Sequence, residues 1–283
     1  MSAAHASSRV VLLGTGTPNA EPDRSGSCVA VVTGGSSYLV DFGPGSVRRA
    51  KAACAAGIAE LCPQLLTTSF VTHLHSDHTA GLADLILTPW TLGRNVPLRI
   101  FGPEGLRDMA AHVLEAYSVD IEDRLGGLQP SNGRGWEVEV EEIRSAGRVY
   151  EDENVRVEAI EANHGSRKAL GYRFETGDRS IAISGDTAPF DGWEESLRDC
   201  DLLLHEVYSA HGLSLMDPEW QAYHRAMHTS SEELALLARE VRPGLLVLYH
   251  HLLHGVPEED LLGEIRTLYD GPVMIGKDLQ ILE

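Results

Sequence analysis

The sequence is poor in cysteine and has no long apolar run. It contains four cysteines in 283 residues, and none of them belongs to a Cys-x-x-Cys pair. Scattered cysteines of this kind predict reduced thiols in the cytosol rather than a disulfide framework. No segment approaches the roughly 18 apolar residues of a membrane span, and residues 1–8 lack the basic and apolar regions of a signal peptide. We therefore expect a cytoplasmic protein without a membrane partner.

Positive charge is also scarce. Lysine and arginine together number 23 against 42 aspartates and glutamates, which gives a net charge of −19 and a pI near 5.0. Proteins that bind long polyanions usually present a basic patch and a high pI, so this balance argues against nucleic acid as a partner. The basic residues that could bind a single phosphate or sulfate are scattered along the chain: Arg24, Arg94, Arg167, Lys168 and Arg225.

The remaining composition is that of an ordinary soluble globular protein, with 43% hydrophobic and 23% charged residues. No low-complexity linker and no fixed-period repeat divides the chain. A length of 283 residues suits one large domain. We expect a single α/β domain over residues 1–283, built from two sheets with helices outside.

One segment carries four metal-ligand side chains within six residues. It follows a predicted buried strand at Leu65–Val71 and precedes a predicted helix that starts near Ala80, with Thr79 as its cap. Ligands of open α/β sheets bind beyond the carboxyl ends of strands, where this segment lies. The segment has the pattern His-x-His-x-Asp-His, formed by His73, His75, Asp77 and His78.

Metal binding explains this spacing. Zinc and related metals take neutral imidazole and carboxylate ligands. His73 and His75 are two residues apart, so in an extended backbone they point to the same side and could share one metal. A turn at Asp77 and His78 would direct that pair elsewhere, which suits a second metal close by. The structural alternative is a helix N-terminus with a few histidines satisfied by hydrogen bonds.

Further ligand-type residues stand at the ends of later predicted strands: His164, Asp186, Glu206 and His250. Two other segments are predicted to lack regular structure. Asp120–Gly135 is expected to form a polar loop or partly mobile lid, and the stretch from Tyr208 to His228 is irregular and rich in aromatic residues and histidine. Both could wall an aromatic or apolar pocket, with ordinary packing as the alternative.

These motifs together resemble the metallo-β-lactamase superfamily. The resemblance rests on the His-x-His-x-Asp-His segment, the isolated His164, the turn Ser184–Thr187 and the late His250. The opening Leu13–Pro18 and the segment Asp41–Gly45 resemble its ribonuclease Z and arylsulfatase-type branch. The match covers nearly the whole chain and implies a four-layer αββα sandwich with a dinuclear metal site at one edge.

The resemblance implies seven metal ligands and two divalent ions, with zinc expected and manganese or iron as alternatives. The implied ligands are His73, His75 and His164 for the first ion, Asp77, His78 and His250 for the second, and Asp186 as the bridge. His251 competes with His250 for the last position. The apolar run Leu245–Tyr249 leads directly into His250 and favours it.

The resemblance also implies a mechanism. Two bound ions bring the pKa of water toward about 7, so that hydroxide is present at neutral pH and attacks an ester-type centre. Asp77 is expected to orient this nucleophile. His228 is expected to protonate the leaving group or stabilise the oxyanion, with Glu206 as its partner. A helix-capping neighbour without chemistry is the alternative for His228, and Glu206 is followed by Val207-Tyr208 where the family has Ala-Thr.

The predicted substrate is a small ester, namely a phosphodiester, an aryl sulfate, or a lactone or carboxylic ester. Bacterial ribonucleases Z of the usual type carry a long arm that grips tRNA, whereas His164 and Asp186 leave room here for one hairpin only. The alternative is a ribonuclease Z-type endonuclease that processes tRNA 3′ ends. A second alternative is a metal-binding member without catalysis, although none of the seven ligands is missing. The family also suggests a homodimer.

Overall fold

The computed structural model describes residues 7–166 and 168–283. Arg167, one of the basic residues named above, and residues 1–6 of the N-terminal segment lie outside the described residues. The chain divides into two compact units. Unit 1 comprises Met1–Arg144 and Asp278–Glu283, and unit 2 comprises Ser145–Lys277. Strands and helices are numbered in chain order.

Unit 1 is built around a mixed sheet. Its described strands are β1 (Arg9–Gly14), β2 (Cys28–Thr33), β3 (Ser36–Val40), β4 (Thr68–Phe70), β5 (Leu98–Gly102), β6 (Val138–Glu142) and β14 (Ile281–Leu282). They lie in the order β14-β1-β2-β3-β4-β5-β6. The pairs β14–β1, β1–β2 and β2–β3 are antiparallel, and the pairs β3–β4, β4–β5 and β5–β6 are parallel. Because β3 and β4 are parallel, the residues that follow them emerge at the same edge of the sheet.

Unit 1 has five described helices. They are α1 (Ser46–Ala55), α2 (Ser76–Thr79), α3 (Leu82–Thr91), α4 (Leu106–Ala116) and α5 (Ser118–Gly126), with 3₁₀ turns at Ala59–Leu61 and Pro63–Leu65. The buried apolar residues of α1, α3 and α4 form one core cluster with the sheet. β2 is buried along its whole length, as expected of a strand rich in valine that is covered on both faces.

The elements around the metal motif differ in their limits from the predicted ones. The 3₁₀ turn Pro63–Leu65 shortens the predicted strand to β4, since Pro63 supplies the fixed φ of a first helical residue. The helix begins at Ser76 rather than near Ala80, and Thr79 Oγ1 donates to His75 O within it instead of capping it. A second helix, α3, then starts after Gly81, where a Cβ would lie 2.4 Å from Phe42 O.

The predicted loop at Asp120–Gly135 is wrong over its first half. Residues Ser118–Gly126 form α5, which is stabilised by the i,i+4 ion pair between Arg124 Nε and Asp120 Oδ2 at 2.9 Å. The polar residues and glycines of this segment had suggested a loop or a partly mobile lid. Within Ser118–Gly126 the polar residues instead form the exposed face of a helix whose Ile121 is buried.

Arg94 has a structural role and does not present its charge to a ligand. Its side chain is 1% exposed and donates to the carbonyl oxygens of four residues at 2.7–3.2 Å. These residues are Leu66, Leu85, Ile86 and Gly135. The guanidinium therefore ties the N-terminal half of α3 to two loops of unit 1.

The prediction of reduced thiols is wrong for one pair of cysteines. Cys54 and Cys62 form a disulfide, with their Cα atoms 4.9 Å apart. The chain turns back after α1 through Gly57, which has φ 107°, and this turn brings the two residues together. Cys28 and Cys200 are free and buried.

The last residues of the chain complete unit 1. β14 pairs with β1, with Val10 opposite Leu282. Just before it, Asp278 Oδ1 accepts hydrogen bonds from Thr15 N and Oγ1 at 2.9 and 2.8 Å, and Asp278 Oδ2 accepts one from Ser25 N at 2.8 Å. Asp278 thereby fixes both ends of the single loop that connects β1 to β2.

Unit 2 contains a second mixed sheet. Its described strands are β7 (Gly147–Glu151), β8 (Arg156–Ala162), β9 (Ala169–Glu175), β10 (Ser180–Ile183), β11 (Leu202–Tyr208), β12 (Leu245–Leu252) and β13 (Val273–Ile275). They lie in the order β13-β12-β11-β10-β9-β8-β7. β10 to β13 are parallel, and β7 to β10 are antiparallel. The carboxyl ends of β10, β11 and β12 therefore share one edge.

The helices of unit 2 include two in the stretch from Tyr208 to His228, so the prediction of an irregular segment there is wrong. They are α6 (Trp193–Leu197), α7 (Ala210–Ser214), α8 (Pro218–Met227), α9 (Ser231–Val241) and α10 (Glu258–Leu268). α8 starts with Pro218 in its first turn, a favoured position for proline. α9 starts with a capping box between Ser230 and Glu233.

The absence of a membrane span is a finding for the described residues only. Among residues 7–166 and 168–283, no helix is both long and apolar enough to cross a membrane.

Candidate metal-binding clusters

The His-x-His-x-Asp-His segment forms a cluster within unit 1. The ring centroid of His73 lies 4.6 Å from that of His75 and 4.1 Å from that of His78. His78 Nε2 lies 3.4 Å from Asp77 Oδ2. His75 is exposed, and the other three side chains are buried. The four predicted residues are thus brought together where β4 leads into α2.

Asp41 positions this cluster, and sequence reasoning assigned it no role. His78 Nδ1 lies 2.7 Å from Asp41 Oδ2, and Thr72 N donates to Asp41 Oδ1 at 2.8 Å. A histidine that donates its Nδ1–H to a carboxylate has Nε2 as its metal-binding nitrogen. Asp41 has φ 62°, a conformation that few residues other than glycine adopt. The sequence did offer one indication, because Asp41–Gly45 resembles a segment of the ribonuclease Z and arylsulfatase-type branch.

A cavity of about 250 Å³ within unit 1 lies against the same segment. Asp77 and Ser76 form part of its wall, and Arg24 lies opposite among the residues of the loop after β1. Arg24 Nη1 donates to Thr15 Oγ1 at 2.6 Å, and its Nε lies 3.2 Å from Glu21 Oε2. The cavity is large enough for a phosphate group.

Unit 2 holds a second cluster, centred on Asp186. His164, Asp186 and His228 each offer a ligand atom, and these atoms lie within 4.8 Å of one another. Asp186 Oδ2 lies 3.9 Å from His164 Nε2 and 4.0 Å from His228 Nδ1, and Asp186 Oδ1 lies 3.4 Å from His250 Nδ1. All four side chains are buried.

The sheet edge of unit 2 explains this grouping. Asp186 follows β10 and His250 lies in the C-terminal half of β12, so both stand at the edge where the parallel strands end. His164 follows β8, and its Nδ1 lies 2.7 Å from Met227 O at the end of α8. His228 is the next residue after that helix. Since Nδ1 of His164 hydrogen-bonds to Met227 O, Nε2 is the nitrogen that could take a metal.

His250 and His251 point to opposite faces of β12, as successive strand residues do. His250 faces Asp186, whereas His251 Nε2 lies 3.5 Å from Glu258 Oε1 at the start of α10. His250 has φ 45°, which is again unusual for a residue other than glycine. This geometry favours His250 over His251 as a cluster member.

Glu206 lies beside the second cluster and is fully buried. The register between β11 and β12 shifts between His205 and Val207, which marks a bulge at Glu206. Glu206 Oε1 accepts hydrogen bonds from Thr187 N and Thr229 N at 3.2 and 3.0 Å, and it lies 3.4 Å from His228 Nδ1. Burial raises the pKa of Glu206, and the nearby carboxylate of Asp186 raises it further.

The neighbouring His205 hydrogen-bonds to a backbone carbonyl. Its Nδ1 lies 2.6 Å from Glu206 O. Burial lowers the pKa of His205 to about 4, so the ring is neutral at physiological pH.

The donor sets of both clusters suit a divalent metal. Each combines imidazole nitrogens with one carboxylate, the ligand types that zinc, manganese and iron take. The hydrogen bonds that His78 and His164 make through Nδ1 are those of metal-bound histidines.

Comparison with known proteins decides the family. A family model described as "Beta-lactamase superfamily domain" matches residues 37–251. The chain belongs to this superfamily. A relative from Mycobacterium bovis (strain BCG / Pasteur 1173P2), named ribonuclease Z, is 31% identical over 280 residues, which cover 97% of each chain.

Solved structures of this superfamily share the fold. The metallo-β-lactamase fold protein YhfI from Bacillus subtilis superposes with a TM-score of 0.73 at 19% identity, over 98% of this chain and 100% of that one. The short form of human tRNase Z gives a TM-score of 0.69 at 23% identity, over 97% and 98% of the two chains. The predicted superfamily and its α/β sandwich fold class are confirmed. The coarse prediction of a metal-binding hydrolase is supported with them.

The predicted substrate and partner are wrong. Small-ester hydrolysis and the exclusion of nucleic acid had been argued from the acidic composition and the missing arm. The relative from M. bovis is nevertheless named ribonuclease Z, and its alignment covers 97% of both chains. A relative of nearly the same length is therefore named ribonuclease Z. The short β9–β10 hairpin, which leaves no room for the long arm, is thus no argument against that function. Net charge is a sum over the whole surface and does not describe a local binding site.

Proposed function

We propose that this protein is a metal-dependent endoribonuclease of the ribonuclease Z type, which cleaves a phosphodiester bond in precursor tRNA. One observation carries the proposal: the 31% identity to a ribonuclease Z that extends over 97% of both chains. The two His/Asp clusters support it, because hydrolysis of phosphodiesters commonly uses a pair of divalent ions. The family model spans residues of both units, which supports a single functional domain over residues 1–283.

The seven predicted ligands remain our proposal for metal binding. They are His73, His75, Asp77, His78, His164, Asp186 and His250. Their contacts within each unit support it: imidazoles lie next to a carboxylate in both clusters. Zinc is the ion that we propose, since imidazole nitrogens and carboxylate oxygens are ligands that it would bind.

Divalent ions at these ligands would supply a nucleophile at neutral pH and stabilise negative charge on the phosphoryl oxygens. We assign three further tasks to side chains. Asp77 orients the attacking water. His228 donates a proton to the leaving oxygen, and Glu206 holds the ring of His228 in place through the 3.4 Å contact to its Nδ1. Glu206 is itself fixed by two backbone N–H groups.

The deciding experiment compares substrates. Purified protein is incubated with a precursor tRNA and, in parallel, with p-nitrophenyl phosphodiesters, aryl sulfates and lactones. We expect endonucleolytic cleavage of the precursor tRNA with a kcat/KM well above that for any small ester. Cleavage of small esters alone would refute the proposal.

Asp186→Ala tests the assigned site. Loss of a carboxylate that contacts three imidazoles should remove bound metal and reduce RNA cleavage by at least about 10³-fold. Asp191→Ala, which alters an exposed carboxylate in the same unit, is the matched control. Metal content by elemental analysis and activity are measured together, with circular dichroism to verify folding. Full activity of Asp186→Ala would show that the site is assigned wrongly.

A further inference from the structure

Helix α8 presents aromatic side chains that have no part in the mechanism above. Trp220 and Tyr223 are 53% and 44% exposed, whereas His224 is 8% exposed. With Met227 they have the spacing i, i+3, i+4, i+7, which places them on one face of the helix. We name the three rings of Trp220, Tyr223 and His224 the aromatic platform.

Contacts between neighbouring rings hold the platform in place. The rings of Trp220 and His224 are stacked, with centroids 5.9 Å apart and an interplanar angle of 28°. Tyr223 packs edge-on against both, at 5.8 and 5.1 Å. His224 in turn contacts His254, with ring centroids 4.4 Å apart. Trp220 is therefore held in a defined orientation while half of its surface stays in solvent.

The platform is continuous with the second cluster. The ring of His224 lies 5.5 Å from that of His228. The C-terminal end of α8 is anchored there, because Met227 O contacts His164 Nδ1 and the Met227 side chain packs on Gly165. Trp220 lies seven residues before Met227, which corresponds to roughly 10 Å along the helix axis. Stacked nucleotides rise about 3.4 Å each, so this distance spans about three nucleotides.

One cationic side chain near the platform could contact a phosphate. Arg225 is exposed on α8 next to the platform and hydrogen-bonds to Gln221 Oε1 at 3.0 Å. Proteins that bind single-stranded nucleic acid combine exposed aromatic rings, on which bases stack, with nearby cationic side chains. RNA is recognised mainly through such unpaired bases.

We propose that the aromatic platform stacks one unpaired nucleobase of the RNA substrate, about three nucleotides from the cleaved bond. The inference rests on the proposed function, and it names a substrate contact rather than a catalytic group. Stacking on Trp220 would fix the strand along α8 and place the scissile phosphate at the second cluster. Trp220 is then a specificity-determining residue for RNA.

The test compares two substrates in one variant. Trp220→Ala should lower kcat/KM for precursor tRNA by roughly tenfold or more, mainly through KM, because loss of one base stack weakens binding by that order. Bis(p-nitrophenyl) phosphate is too short to reach from the cluster to Trp220. The ratio of the two kcat/KM values should therefore fall at least about fivefold.

Three further variants sharpen the result. Trp220→Phe keeps a ring and should restore most of the RNA activity. Tyr223→Ala removes the edge support of Trp220 and should lower the same ratio to a smaller extent. Tyr117→Ala alters an aromatic residue of unit 1 with similar exposure, 43%, and should leave both activities unchanged.

A binding measurement completes the design. Quenching of tryptophan fluorescence by a single-stranded DNA oligonucleotide, which is not cleaved, should be strong in the unaltered protein and weak in Trp220→Phe. Equal kcat/KM for precursor tRNA in Trp220→Ala and the unaltered protein would overturn the platform alone. An equal fall for both substrates would show a structural role and also overturn it. Absence of RNA cleavage by the unaltered protein would overturn the proposed function, and the platform with it.

Discussion

Single hydrogen bonds decide how the histidines of both clusters present their ring nitrogens. Asp41 engages Nδ1 of His78, and the carbonyl of Met227 engages Nδ1 of His164. Each bond favours one tautomer and one ring orientation, in which Nε2 would be the nitrogen available to the proposed metal. Asp41 and His250 have positive φ values, so part of the folding energy is used to hold these positions.

The pair His250 and His251 gives the first prediction. His250→Ala should lose metal and reduce RNA cleavage by at least about 10³-fold, because the ring that faces Asp186 is removed. His251→Ala should keep its metal and most of its activity, but lose about 1 kcal/mol of stability with the contact to Glu258. Elemental analysis, kinetics and urea unfolding of the two variants give the answer. The reverse pattern would reassign the ligand.

The neutral histidines near α8 give a second prediction, on acid stability. Burial, together with the smaller effect of the charges of His224 and His228, lowers the pKa of His254 to about 4. Burial and the charge of His228 likewise lower the pKa of His224 to about 4. An unfolded histidine titrates near 6.5, so the unfolded chain binds more protons between pH 6.5 and 4. Stability should therefore be complete above pH 6.5 and fall as the pH drops toward 4.

His254→Asn tests this origin of acid sensitivity. Asparagine tolerates the positive φ of 52° at this position but does not titrate. Between pH 7 and pH 5 the variant should lose roughly 1 kcal/mol less stability than the unaltered protein. Urea unfolding at both pH values measures the difference, with the exposed His112→Asn as control. Identical pH dependence in His254→Asn would exclude His254 as a source.

Individual elements were predictable to different degrees, and α8 shows why. The strands around the metal motif and the helix α10 follow from apolar runs and their boundaries. The residues Trp220, Tyr223 and His224 were instead taken as part of an irregular segment, although their spacing is helical. Aromatic residues and histidine are not strong helix formers, so the packing of α8 decides its conformation rather than propensity.

Contacts between residues that are far apart in the sequence could not be predicted, for a different reason. The proposed ligands lie within or just after strands whose apolar runs can be identified in the sequence, so they could be proposed without a structure. Asp41 is separated from His78 by 37 residues, and its role depends on β3 and β4 being parallel neighbours. The same holds for Arg94, whose carbonyl partners come from three parts of the chain.

Arg94 joins separate elements of unit 1 and gives a prediction on stability. Arg94→Met keeps the volume of the side chain but leaves four buried carbonyl groups without their donor, and should cost about 3–5 kcal/mol of stability. Burial lowers the pKa of Arg94 only to about 10, so the charge is present at neutral pH in the folded protein. Arg94→Lys should recover part of the loss.

The matched control is Arg99→Met on β5, where the side chain is exposed and pairs with Glu139 at 3.8 Å. Its effect should stay below about 1 kcal/mol. Chemical denaturation of the three variants measures the difference. If Arg94→Met were as stable as Arg99→Met, the prediction would be wrong, and water would be donating hydrogen bonds to the carbonyl groups in place of the guanidinium.

On the scale of the whole molecule, the net charge of −19 sets an expectation for RNA binding. The family and its metal chemistry were predictable because they depend on a few side chains with specific spacing. The substrate was not, since overall composition does not report how charge is distributed around one site. If the proposed function holds, we expect few phosphate contacts, because the chain has only 23 lysines and arginines against 42 acidic residues.

Salt dependence tests that expectation. The logarithm of kcat/KM for precursor tRNA should fall with the logarithm of salt concentration with a slope no steeper than about −3, since each phosphate contact contributes roughly −0.7 to −0.9. Initial rates between about 50 and 300 mM salt define the slope. A slope near −6 or steeper would reveal an extended basic track that composition conceals.

The contacts of Asp278 have a consequence for biosynthesis. The carboxylate that fixes the loop after β1 is synthesised 263 residues after Thr15 and 253 residues after Ser25. Unit 1 therefore cannot form its full set of contacts on the ribosome until β14 has been made and pairs with β1. A nascent or prematurely terminated chain that lacks Asp278–Glu283 exposes the edge of β1, and quality-control proteases would have time to recognise it before closure.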